Sequence, residues 1–294
     1  MSALQEHLDI GATTLARCWA VIRRDGETFG FTDHDGPLEF EGISFKADSG
    51  MTARAIISGA GMSVDNSEAM GALSDAAITE ADIEAGRFDG AQVKAWLVNW
   101  ADVTQAQLRF SGTIGELRRA GGAFHAELRG LTEALNHPQG RVYQTPCSAI
   151  LGDDACKFDL DTKGYSTEVV VEQVEDGREF HFSNLQTFEP AWFERGRLTV
   201  ISGDAEGLVG SIKRDRFVNG VRRIEVWEGF RAEIQGGDTI RLDAGCDKRS
   251  ETCRLKFANF LNYRGFPDIP GDDWLTTTPS QNGDNRGLSL RREN

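Results

Sequence analysis

The sequence predicts a mainly β protein (α+β minor), built as two β-rich, barrel-like blocks with short helices and a four-cysteine loop site. Three observations carry that prediction. Large apolar residues alternate with polar ones at a period of two, as in Leu38, Phe40, Ile43 and Phe45. Hairpin-type dipeptides, Asp25-Gly26, Glu41-Gly42, Gly121-Gly122 and Asp176-Gly177, separate the alternating runs. Stretches with helical spacing are few and short.

Taken in order, "CWAVIRRDGETFGFTDHDGPLEFEGISFK" reads as strands joined by two hairpins. "TEADIEAG", residues 79 to 86, reads as a short helix capped by Thr79. "AQVKAWLVNW" reads as a strand, and "LRFSGTIGELRRAGGAFHAELRG" as a hairpin closing over Gly121-Gly122. Residues 131 to 137 fit one or two helical turns stopped by Pro138. A turn-rich loop holding Cys147 and Cys156 runs to residue 165, and β character then returns from 166 to 243. Next comes "AGCDKRSETCRLKFANFLNYRGFPDIPGDD", where Leu255, Phe257, Ala258, Leu261 and Asn262 fit a helix starting at Leu255. The domains expected are therefore 1–137, a β-rich block; 138–276, a second block with the cysteine site; and 277–294, a polar tail.

Composition narrows the function classes. The 294 residues carry a net charge of −14, which argues against a nucleic-acid backbone as the main partner. Solubility explains that charge, and so does a wall facing DNA that must not be held. No apolar run is long enough for a membrane helix, and residues 1 to 19 lack a signal core. The expectation is a protein made in the cytoplasm, where thiols stay reduced.

Four of the five cysteines form two pairs about ninety residues apart: Cys147 with Cys156, and Cys246 with Cys253. They bracket the second β block, and a β meander can return its ends to one edge. Four converging thiolates in a reducing compartment point to a metal. Neither spacing matches the tight knuckles of structural zinc, whereas an iron–sulfur cluster tolerates longer loops. Iron–sulfur, zinc and free buried cysteines all stay open on spacing alone. Lys157, Lys248, Arg249 and Arg254 are placed to offset a cluster's negative charge, and Gly152 and Gly245 to admit backbone N–H groups. Cys18, beside Trp19 in a strand, reads as a small buried hydrophobe.

Other motifs carry little. "DHDG" at Asp33–Gly36 reads as a solvated turn, and "SGAGMS" at 58–63 lacks the third glycine of a dinucleotide fingerprint. Ser148 has no nucleophile elbow around it. Tryptophans 19, 96, 100, 192, 227 and 274 read as core or interface anchors, with Trp274 the one placed to meet a neighbour.

The runs "FGFTDHDGPLEFEG", "GALSDAAITEADIEAGRFDGAQVKAWLVNW", "RGLTEALNHPQGRVYQTPCSAILGDDACKFDL" and "GCDKRSETCRLKFANFLNYRGFPDIPGDD" resemble the tail-hub (baseplate hub) proteins of gene transfer agents and related prophages. The resemblance covers nearly the whole chain. It implies a homotrimer at the distal end of a tail in a virion-like particle, assembled in the bacterial cytoplasm. It places the protein between the distal tail protein ring and the central fibre or tail-tip protein, with DNA passing through a channel without specific binding and with no membrane anchor. Similar tail-tip proteins of lambda-like phages hold an iron–sulfur cluster on four cysteines. That pattern carries over to Cys147, Cys156, Cys246 and Cys253 as ligands of a [4Fe-4S] cluster, with zinc as the alternative. A structural protein rather than an enzyme is expected. The competing readings are a tail-associated iron–sulfur oxidoreductase or cell-wall hydrolase, and a zinc-stabilised binding module.

Overall fold

The computed structural model describes residues 3–11, 13–47, 66–70, 79–120, 123–130, 140 and 142–269. The turns expected at 131–137, the Gly121-Gly122 dipeptide, the "SGAGMS" stretch, Trp274 and the polar tail lie outside these residues. The described part is mainly β, in two sheets with short helices.

After a first helix, α1 (Ala3–Asp9), the first sheet is made from β1 (Leu15–Ile22), β2 (Thr28–Thr32), β3 (Leu38–Phe40), β4 (Ile43–Lys46), β5 (Asn66–Met70), β6 (Gln92–Asn99), β7 (Ala106–Ala120) and β8 (Ala123–Gly130). Its order is β3-β4-β2-β1-β6-β7-β8-β5. Strand β1 is central and covered on both faces. Trp19 and Val21 point into one apolar cluster with Phe29, Phe31 and Phe88. Ala16, Cys18 and Ala20 point into another with Phe45, Trp96 and Val98. Two-sided burial makes β1 an almost continuous apolar run, and it leaves Cys18 fully buried as a small hydrophobe. The helix α2 (Glu80–Glu84) is capped as expected, Thr79 Oγ1 accepting from the Asp82 N–H at 3.1 Å. Expected hairpins at Asp25-Gly26 and Glu41-Gly42 are present, with Gly26 and Gly42 at positive φ.

The second sheet comprises β9 (Ser166–Val170), β10 (Gln173–Glu175), β11 (Glu179–Phe182), β12 (Arg197–Val200), β13 (Val209–Val218), β14 (Val221–Val226) and β15 (Thr239–Asp243). Its order is β10-β11-β14-β13-β12-β15-β9, antiparallel throughout. Strand β13 serves both halves. It pairs with β12 through its first residues and with β14 through the rest, with a register shift between Ile212 and Arg214. Such a bulge bends a strand and lets one sheet curl around its core. That core holds Phe180, Phe182, Phe193, Leu198, Ile212, Ile224, Ile240 and Leu242, none of them exposed. The two blocks differ in topology, because β2 and β4 of the first sheet pair in parallel.

Buried in the second core is an ion pair. Arg222 donates to both carboxylate oxygens of Asp215, at 2.7 and 2.5 Å, and to the carbonyls of Leu185, Phe188 and Glu189. Phe193 and Phe217 lie on its guanidinium, each 4.9 Å away. These bonds fix the 185–195 loop, which later supports the cysteine site. Between the sheets, Arg87 donates to the carbonyls of Glu206 and Asp204 at 2.7 and 2.8 Å.

Candidate metal centre

The pairing of β9 with β15 decides where the cysteines go. Ser166 sits opposite Asp243, so the chain enters and leaves the second sheet side by side. The loop before β9 carries Cys147 and Cys156, and the segment after β15 carries Cys246 and Cys253. Both emerge at one end of the sheet, and all four cysteines line one small cavity with Ala149, Leu151, Phe257 and Asn259.

The segments interlock through backbone groups. Cys147 N–H donates to the Lys248 carbonyl at 2.8 Å, and Phe266 N–H to the Gln144 carbonyl at 2.9 Å. Tyr263 Oη donates to the carbonyls of Thr145 and Lys248 at 2.6 and 3.2 Å. Asn259 Nδ2 holds the Cys156 carbonyl at 2.7 Å. Asp153 gathers the N–H groups of Cys156, Ile150 and Ala155, which hold its carboxyl below the usual range. On the sheet side, Phe158, Tyr165 and Phe257 pack together, and Trp192 extends the layer from Tyr165.

Helix α3 (Ser250–Leu255) carries Cys253 on its buried face. The expected helix from Leu255 onward is corrected here. The helix ends where the sequence pattern starts it, because Ala258 adopts φ +47° and the Asn259 N–H turns back to the Cys253 carbonyl. A left-handed residue after the last turn is a common helix stop. Only one tight turn, Phe260–Asn262, follows. Leu255 and Leu261 are exposed, and of the pattern's large apolar residues only Phe257 is buried.

Two influences on the cysteines act in opposite directions, N–H bonds that favour thiolate and burial that favours thiol. Sulfurs accept N–H bonds from Arg264 N to Cys147 at 3.3 Å and from Asn259 Nδ2 to Cys156 at 3.5 Å. Burial pushes the Cys246 thiol up; burial and then the neighbouring cysteines push Cys253 to about 11. Metal binding at neutral pH therefore displaces protons. Gly245 has a steric reason of its own. A side chain on Gly245 would strike the Glu194 carbonyl, 1.7 Å from its Cβ, so this glycine lets α3's approach pack against the 194–196 chain.

Backbone strain gathers at this site. Among the described residues, eight other than glycine have positive φ, and five of them (Lys157, Ala191, Arg195, Lys248 and Ala258) lie in the loops around the cysteines. Each costs about 1–2 kcal/mol, and such residues collect at ligand clamps.

Four thiolates are a donor set that a zinc ion and an iron–sulfur cluster both take. The space between the side chains is about 10 Å³, the room of one water, so the bound group sets the final separation of the sulfurs.

A separate trio, Glu175, Glu179 and His181, brings its ligand atoms within 4.8 Å of one another. Arg223 donates to the Glu179 oxygen that also meets His181, each at 3.1 Å. Arg216 lies 3.7 Å from the other oxygen. The trio is part of a ladder of cross-strand ion pairs. His34, in the "DHDG" turn, accepts from the Gly36 N–H at 3.0 Å and lies against Trp100, which agrees with the turn reading.

Comparison with known proteins gives the family. Residues 1–159 match the family "Baseplate hub protein, N-terminal attachment domain", and residues 191–273 match "Phage conserved hypothetical protein BR0599". No curated protein matches. Among solved structures, a chain of "Virion of native gene transfer agent (GTA) particle" is 53% identical, with a TM-score of 0.87. The alignment covers 99% of this chain and 100% of that one. The chain belongs to the baseplate hub protein family.

Proposed function

We propose that this protein is a structural tail hub at the distal end of a gene-transfer-agent-like particle. It joins the distal tail ring to the central fibre or tail-tip protein as a homotrimer lining the DNA channel. The observation that carries the hub role is the likeness to a gene-transfer-agent virion chain over nearly every residue. A structural family supports a role other than catalysis. The net charge of −14 suits a channel that DNA traverses without adhering.

Within that role, Cys147, Cys156, Cys246 and Cys253 hold a [4Fe-4S] cluster. What supports this is their convergence on one cavity, the N–H bonds to sulfur, and loop spacings longer than the tight knuckles of structural zinc. The cluster would supply a cross-link, in a compartment where disulfides do not persist, between segments ninety residues apart. The residues themselves already prepare it: Asn259, Tyr263 and Asp153 hold the loops in place, and α3 presents Cys253.

Anaerobic purification followed by visible absorbance and iron and zinc analysis tests the site. Brown protein with about four irons per chain is expected; colourless protein with one zinc overturns the cluster. Deleting the gene in a producing host tests the hub. Tails lacking their distal fibre are expected, and intact infective particles would refute the role.

A further inference from the structure

Two lysines beside the cysteines donate to backbone carbonyls and, among the described residues, make no ion pair. Lys256 Nζ donates to the carbonyls of Trp192 and Gly245, at 2.7 and 2.9 Å. It lies 4.1 Å from the centre of the Trp192 ring and 5.4 Å from that of Phe257. Lys248 Nζ donates to the Ala149 carbonyl and lines the cysteine cavity. Both are partly buried. Among the described residues neither has a carboxylate within 4.0 Å.

The other expected cations are occupied or turned away. Arg249 faces Asp247 and solvent, Arg254 covers Phe260, and Lys157 is exposed. Burial disfavours the charged form of Lys256, so its ammonium gains from a negative group close by. Asp153 acts on Lys248, and Asp247, Asp215 and Glu189 act on Lys256, all from beyond ion-pair distance. Bringing these ammonium groups out of water to donate to carbonyls is therefore costly unless an anion lies closer. Four thiolates around a doubly positive core leave two negative charges, which two lysines cancel.

We infer that Lys248 and Lys256 are the built-in counter-charge of the four-thiolate centre, holding its thiolates ionised and easing its reduction. The inference rests on the metal-centre reading above. A positive charge nearby favours the more negative, reduced form and opposes protonation of the ligands.

The test uses the full-length protein, purified anaerobically, as wild type, Lys256→Gln, Lys256→Arg and Lys248→Gln. Glutamine keeps a donor for the carbonyls without charge; arginine keeps the charge. Each glutamine variant should still load iron, but with a reduction equilibrium lowered about tenfold, which is about 59 mV more negative for one electron. Each should also lose its metal at a higher pH on acid titration, a readout that serves iron and zinc alike. Lys256→Arg should stay close to wild type in both. Glutamine variants with wild-type potential and acid stability, or an arginine variant as altered as the glutamine one, would overturn the inference and leave the lysine as an anchor. If wild type carries zinc, the cluster fails while the acid titration still decides the lysines. A wild type that takes up no metal ends both.

Discussion

The second sheet and the cysteine lobe beside it are neighbours in sequence, yet they are held by different forces. Inside the sheet, residues 169–242 supply fifteen buried apolar side chains in one cluster. In the lobe, residues 142–165 and 246–269, the buried apolar side chains are Ala149, Cys253 and Phe257. The sheet folds by removing apolar area from water. The lobe has too little such area to offset its ordering entropy, and it carries strained backbone besides. Its hydrogen bonds position it, and under the proposed metal centre a bound group would add the stability that its small core does not supply. A small region without a core resembles a miniature protein that needs a staple.

The contrast can be broken from either side. The largest expected effect is in the sheet. Asp215→Ala leaves Arg222 buried without its carboxylate and should cost about 3–5 kcal/mol, lowering the denaturant midpoint of sheet and lobe together. Survival of the sheet at wild-type stability would deny that this pair organises the core. Next, Cys→Ser at 147, 156, 246 or 253, or removal of the metal by a chelator, should expose residues 142–165 and 246–269 to protease while the sheet stays resistant. Collapse of the whole chain would show that the two regions are one cooperative unit.

Cys18 provides a thiol that belongs to neither. It is fully buried, and burial raises its pKa from 9.0 to about 11. A raised pKa means its stabilising contribution is complete below about pH 9 and is lost as pH climbs through about 11, a fall of about 3 kcal/mol. Cys18→Ala should flatten that alkaline fall in a pH series of denaturation curves, while Cys18→Ser at neutral pH should be mild. Smallest of all, Ala258→Gly should stabilise the lobe by about 1 kcal/mol, since glycine accepts φ +47° freely. A loss of stability there would mean that the strain is not borne at this residue.

What the sequence made legible follows the same division. Alternation and turn dipeptides placed most strands of both sheets, β5 (Asn66–Met70) not among them, because a sheet with a full core writes its burial into every second residue. The convergence of the four cysteines was legible too, since a β meander can return its ends to one edge, here β9 beside β15. Inside the lobe the same logic failed. Leu255 and Leu261 looked like a helix face, yet both are exposed, because no core selects apolar residues there. The close approach of Gly245 to the Glu194 carbonyl was not legible either. Lys256 was not singled out at all. The one available signal was its position three residues after Cys253, and its role depends on carbonyls of Trp192 and Gly245 that only folding delivers.

The edge position of β9 against β15 has a mechanical consequence. Two antiparallel neighbours pulled from the ends at Ser166 and Asp243 come apart like a zipper, one rung at a time, which is the weakest direction in which to load a sheet. The cysteines lie just outside that first rung. If their sulfurs share one inorganic group, tension along the chain passes from one flanking loop to the other through that group before any rung is loaded. The second sheet then sits in the slack of the line, and a tail under strain spends its force on metal–sulfur bonds instead of on hydrogen bonds.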